Sequence, residues 1–193
     1  MPAAELFETV LIDRTVPRDP CIAQLIWWAA RLSELGFTPS YGPGDHGNLS
    51  CRTPTGLLVT ARHTAKAALR PEQFVDVVDV TQFDGRITVH ARGVALPSTD
   101  VWLHWRVYDL RPDIHAILHG HDSAALAQAA ALHLPVTTTS GKTPSMAIVD
   151  DVCKLVAAHN YLLMRDHGFV ALGQSIDEAG ELVRKVNGLA RSL

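Results

Sequence analysis

"HAILHGHDS", residues His115 to Ser123, decides how this chain is read. An apolar run of Ala116, Ile117 and Leu118 ends in His119 and His121. In an extended strand, residues i and i+2 share a face, so the two imidazoles point to one side. Gly120 between them has no side chain, which lets a ligand or another strand approach closely. A pair at this spacing can hold a metal ion. Two unrelated surface or core histidines would produce the same pattern, so the flanking chain has to decide.

Upstream, Thr99 to Leu110 reads as a helix with Val101, Trp105 and Tyr108 at helical spacing, and Ile114 to His119 as a strand. Downstream, the alanine-rich stretch Ser123 to Leu132 and the stretch Ser145 to His159 read as helices. "YLLMRDHGFVALG" reads as two strands, Tyr161 to Met164 and Phe169 to Leu172, around a polar turn that carries His167. A last amphipathic helix runs from Ile176 to Leu193. Towards the N-terminus, Asp19-Pro20 starts a helix whose apolar positions recur from Ile22 to Leu35, and Gly36 ends it. "TPSYGPGDHG" (Thr38 to Gly47) is a loop of breakers. Strands follow at Asn48 to Arg52, Leu57 to Thr60, Phe74 to Val80 and Ile87 to Ala91. Helices at both ends with many short strands between predict an α/β layered domain around a mixed or antiparallel sheet.

The whole chain of 193 residues suits one domain, 1–193, and its 47% hydrophobic content supports a real core. A net charge of -3 offers no basic field for nucleic acid. No apolar run approaches the roughly 18 residues of a membrane span, and the N-terminus lacks a signal-peptide pattern. Three scattered cysteines, Cys21, Cys51 and Cys153, suit reduced thiols in a cytoplasm. Ten histidines favour metal chemistry.

A catalytic zinc site takes three protein ligands and leaves a position open. His119 and His121 supply two, His167 is the third candidate, and Asp100 supplies a carboxylate at a helix start. Each has a plainer reading on its own. His167 is a turn residue, Asp100 a helix N-terminal carboxylate favoured by the dipole, and His104 a packed histidine. His46 and His63 lie in loops as solvated side chains.

The order of the segments adds to this. "GDHGNLSCR", "GLLVT", "LRPEQFVDVVDV", "LPSTDVWLHWRVYDLRPDIHAILHGHDSAAL" and "LLMRDHGFVALGQSIDEA" follow one another from Gly44 towards the C-terminus. This ordered set resembles the class II aldolase and adducin family. The resemblance implies a three-layer α/β/α fold with a central mixed, largely antiparallel sheet. It also implies a divalent ion, usually zinc, and a homotetramer with sites between subunits. By position, His119, His121 and His167 match the family's metal ligands. Asp100 matches the acidic residue that binds metal and moves the proton. Asn48, Ser98 and Thr99 match substrate contacts.

Three departures stand out. Thr60-Ala61-Arg62-His63 replaces the family's phosphate loop, so that His63 stands where a glycine is usual and Arg62 adds a cation. Asp45 brings a carboxylate that would repel a phosphate dianion. Thr139 stands where the aldolases carry a catalytic tyrosine. Arg62, His63 and Lys142 are the anion-binding candidates, with solvated loop charge as the alternative for Arg62 and Lys142.

The resulting expectation is a metal-dependent, aldolase-type lyase of carbohydrate metabolism. It would act on a small hydroxy-carbonyl compound through a metal-stabilised enediolate, with Asp100 moving the proton. Epimerisation, dehydration or decarboxylation, and a non-catalytic adducin-like interaction domain, are the alternatives. Neither nucleic acid nor membrane is expected as a partner.

Overall fold

The computed structural model describes residues 7–141 and 145–193, so Lys142 lies outside the described residues. The strands are β1 (Phe7–Asp13), β2 (Asn48–Thr53), β3 (Gly56–Thr60), β4 (Phe74–Phe83), β5 (Arg86–Arg92), β6 (Ala116–Gly120), β7 (Val136–Ser140), β8 (Tyr161–Arg165) and β9 (Gly168–Gly173). The helices are α1 (Cys21–Glu34), α2 (Val101–Leu110), α3 (Ser123–Ala127), α4 (Met146–Val156) and α5 (Ile176–Arg191).

The strands form one open sheet in the order β1-β5-β4-β3-β2-β6-β9-β8-β7. The outermost pairs, β1–β5 and β7–β8, are parallel, and every pair between them is antiparallel. The period of two along each strand sorts the apolar residues onto two faces. Val59, Val77, Ile117, Val170 and Leu172 pack against α2 and α4, through Leu103, Val107, Val149 and Val152. Leu49, Leu58, Leu118, Leu163 and Phe169 pack against α1, α3 and α5, through Leu25, Trp28, Ala125 and Val183. The result is the expected three-layer sandwich. On the second face α1 and α5 touch closely. A Cβ at Gly180 would lie 2.3 Å from the Trp28 ring, and the Trp28 indole donates to Asp177 Oδ1 at 2.8 Å.

Several boundaries differ from the sequence expectation. β1 and β7 were not expected. Both are edge strands whose partners, β5 and β8, lie far along the chain. α2 begins at Val101, two residues later than expected. α3 ends as a regular helix at Ala127 instead of Leu132. The chain continues in turns that close at His133, with φ +51, where Leu134 N–H reaches back to Ala129 O at 2.9 Å. That left-handed stop is a Schellman-type ending, favourable just before Pro135. α4 is confined to Met146–Val156, capped by Ser145, whose hydroxyl accepts from Ile148 N–H. No helix among the described residues is long and apolar enough to cross a membrane.

Candidate metal centre

The site is built where the middle of the sheet ends. β6 delivers His119, and the antiparallel register sets Asn48 of β2 directly opposite it on one side and Val170 of β9 on the other. Directly opposed residues share a face, so Asn48 and His119 project together. His121 follows β6, held by its N–H to Phe37 O at 2.7 Å. His167 sits in the tight turn between β8 and β9, with Asp166 at φ +59 and its own N–H bonded to Met164 O. Gly168 makes this approach possible. A Cβ there would lie 2.2 Å from Gly120 O and 3.1 Å from the His121 ring.

The three imidazoles converge. Ring centroids are 5.3 Å apart for His119–His121 and 4.9 Å for each of the other two pairs. One nitrogen of each lies within 4.8 Å of the others. His119 Nδ1–H donates to Phe169 O at 2.7 Å, which leaves the lone pair on Nε2. Burial, with neighbouring imidazoles adding to it, pushes His119 and His121 down to about 3 and His167 to about 4. All three are therefore neutral at pH 7, the state a metal ligand needs.

Asp100 occupies the N-cap position of α2, but its carboxylate makes no capping bond. It accepts instead from Asn48 Nδ2, and Oδ2 lies 3.8 Å from His119 Nε2. Asp100 stands beside the cluster of three nitrogens and not within it. Below it, His104 is fully buried, 2.6 Å from Ser50 Oγ through Nδ1. This matches the packed-histidine expectation.

The donor set suits a borderline divalent ion. His121 Nε2, His167 Nδ1 and Asn48 Oδ1 are buried polar atoms without a hydrogen-bond partner among the described residues. Such orphans are costly unless something else satisfies them. Three neutral imidazoles with a carboxylate alongside is a ligand chemistry that zinc and its first-row neighbours accept.

The other wall of the cavity, about 290 Å³ in volume, comes from two loops. The loop 38–47 contributes Tyr41, Asp45 and His46, and the segment after β3 contributes Arg62, His63 and Lys66. Ser98 and Thr99, just ahead of α2, close the rim. Apart from Lys142, which lies outside the described residues, the site residues expected from the sequence line this one cavity. His46 and His63 are more than solvated loop residues. His46 is stacked on His121 with ring centroids 4.6 Å apart, and His63 Nδ1 lies 3.0 Å from the Tyr41 hydroxyl.

Lys66 and Tyr41 were missed. Lys66 is only 2% exposed and donates through Nζ to Asp45 O, Thr64 O and Thr64 Oγ1. Burial pulls it down to about 8 against the favourable charges of Asp45 and Asp100. Its backbone N–H also holds Asp45 Oδ2 at 2.7 Å. The Asp45 carboxylate is thus offset locally by Lys66. A lysine among alanines and threonines carries no periodic signal that would have revealed this. Thr139 lies outside the cavity. Its N–H and hydroxyl both donate to Asp151 Oδ2, at 2.8 and 2.7 Å.

The chain and its fold have known relatives. The Class II Aldolase and Adducin N-terminal domain family matches residues 24–193. A methylthioribulose-1-phosphate dehydratase from Pseudoalteromonas translucida is 30% identical over 81% of this chain and 82% of its own. A 5-methylthioribulose-1-phosphate/5-deoxyribulose-1-phosphate aldolase from Escherichia coli is 27% identical over 76% of this chain and 72% of its own. Among solved structures, an L-fuculose-1-phosphate aldolase from Thermus thermophilus superposes with a TM-score of 0.68 at 22% identity, covering 88% of this chain and 90% of that one. With the family matched over most of its length and enzymes as its curated relatives, this chain belongs to the class II aldolase and adducin family, on the enzyme side of it.

Proposed function

We propose that the chain is a divalent-metal-dependent lyase, with zinc as the expected ion, acting on a small phosphorylated hydroxy-carbonyl compound. The observation that carries this reading is the convergence of three neutral imidazoles, His119, His121 and His167, beside the carboxylate of Asp100 in one polar cavity. An ion held there by the imidazoles, with Asp100 alongside, would supply Lewis acidity and stabilise the negative charge of an enediolate.

The chain's own residues do the rest. Asp100, oriented by Asn48, takes the proton. Arg62, whose Nε is buried without a partner among the described residues, holds the anionic end of the substrate. Ser98, Thr99 and His63 line the same cavity and complete its grip. The cavity suits a ligand of metabolite size.

Cleavage of a carbon–carbon bond is the first reading. Loss of water is the second, and the 30% identical relative named a dehydratase favours it. The test loads metal-free protein with zinc and adds methylthioribulose 1-phosphate. Products are followed by NMR and mass spectrometry. Two fragments mean aldol cleavage, and an intact skeleton lighter by one water means dehydration. Zinc-loaded protein that leaves this compound unchanged rejects methylthioribulose 1-phosphate as the substrate, and protein that binds no zinc rejects the metal-dependent reading. A homotetramer in the cytoplasm, serving sugar-phosphate metabolism, belongs to the same proposal, and light scattering measures the assembly.

A further inference from the structure

Water loss from a hydroxy-carbonyl compound moves two protons. One leaves the carbon beside the carbonyl, and one joins the oxygen that departs. Asp100 accounts for the first, so the cavity needs a second proton-carrying group.

Most of the polar side chains around the cavity are unsuited. Lys66 is sealed from substrate, its ammonium engaged with three oxygens of Asp45 and Thr64. A guanidinium such as Arg62 does not release a proton. Ser98 and Thr99 are alcohols. His46 is stacked on His121 and has no side-chain hydrogen-bond partner among the described residues to orient it.

Tyr41 and His63 differ from all of these. The Tyr41 hydroxyl and His63 Nδ1 are 3.0 Å apart, and both residues line the cavity. The Tyr41 ring lies 4.7 Å from His46, which in turn stacks on His121, so the phenol joins the imidazole wall through one intervening ring. The pair is held by backbone contacts. Asp45 N–H bonds Thr64 O at 3.1 Å, and Gly44 packs so closely on the His63 backbone that a Cβ would lie 2.7 Å from it. His63 itself keeps a left-handed backbone, φ +56, where a glycine would be unstrained. Strain of this kind persists where surrounding structure enforces it, and it clusters at active sites.

We propose that Tyr41, backed by His63, is the acid that protonates the departing oxygen; this rests on the water-loss reading above. Asp100 takes the proton from the carbon, and the freed electron pair forms the double bond. The carbon–oxygen bond breaks and its electrons leave with the oxygen. The Tyr41 O–H proton passes to that oxygen to give water. The phenolate takes up a proton delivered from solvent through His63 Nδ1. Asp100 ends protonated and returns that proton to solvent. Tyr41 is then a catalytic residue and His63 a positioning and supply residue behind it.

The experiment compares zinc-loaded wild type, Tyr41→Phe and His63→Asn with methylthioribulose 1-phosphate in deuterium oxide. Asparagine tolerates the left-handed backbone at position 63. Product formation, exchange of the proton beside the carbonyl, and zinc content are measured together. In Tyr41→Phe, kcat is expected to fall about 100-fold, within the range for a lost general acid. Its KM, proton exchange and zinc content should stay at wild-type values. His63→Asn is expected to lose less in kcat, about tenfold, with proton exchange and zinc content unchanged. A Tyr41→Phe enzyme within twofold of wild-type kcat overturns the proposal. So does loss of exchange or zinc in that variant, which would make Tyr41 structural. Wild type that exchanges the proton or cleaves the skeleton without losing water overturns the water-loss reading and this assignment with it, leaving the metal site standing.

Discussion

The two walls of the cavity are built on different principles. The imidazole wall rises from the ends of β6 and β9, where a hydrogen-bonded ladder sets Asn48, His119 and Val170 side by side. The loop wall hangs on turns with left-handed residues, Gly42 at φ +107, Gly47 at φ +82 and His63 at φ +56. A non-glycine residue there costs about 1–2 kcal/mol, and His63 keeps its conformation nonetheless. One wall takes its geometry from regular pairing, and the other from a buried lysine and backbone contacts between loops. The difference teaches that the candidate metal ligands sit on a hydrogen-bonded ladder and the turn that closes it. The groups proposed to contact substrate sit in loops, where single residues can change without disturbing the sheet.

His119→Ala would break the strand wall most severely. Its metal content should fall to near zero by elemental analysis, and the lyase rate by about 10⁴-fold, the equivalent of the several kcal/mol that a metal contributes. A variant that keeps one ion per chain would remove the distinction between the walls. Asp100→Asn should keep most of the metal and lose about 10³-fold in rate. Equal loss of metal would place Asp100 among the ligands instead of beside them.

The loop wall is tested through its lysine. Lys66 titrates at about 8 in the folded chain, below its ordinary 10.5, because of burial. Between those values the unfolded chain holds a proton that the folded chain has released. Stability should therefore rise with pH across that window, by on the order of 3 kcal/mol for the full shift. Lys66→Met should lack the rise in urea titrations at pH 7.5 and 10. A parallel rise in both proteins would show that the lysine is solvated.

Two glycines give the smallest and most direct contrast. Gly168→Ala forces a Cβ onto Gly120 O and should cost about 2 kcal/mol in unfolding free energy, with weakened metal binding. Gly42→Ala meets nothing within 4 Å and pays only for its left-handed backbone, about 1 kcal/mol, with metal binding intact. Similar losses of metal in the two would mean that both walls hold the ion.

The strand wall was far more legible than the loop wall, for a physical reason. His119 and His121 declare themselves through a period of two, and His167 through a turn between apolar runs. Asp100 was legible as a helix-start residue, but its actual engagement with Asn48 depends on where β2 lies next to α2. Tyr41, His46 and Lys66 sit in segments without period, and their roles come from contacts between loops. β1 and β7 escaped notice because a parallel edge strand is completed by a partner distant along the chain.

Local spacing alone determined that two imidazoles share a face beside a glycine, that apolar residues sort onto two sheet faces, and where α1 begins. These follow from backbone geometry over a few residues, which every stretch of sequence carries with it. Only the tertiary structure decided that His167 and Asp100 come to His119, that Lys66 is buried against Asp45, and that Tyr41 meets His63. Strand register and loop packing set those meetings. They depend on how distant segments satisfy their hydrogen bonds and bury their apolar faces together, which no local pattern records.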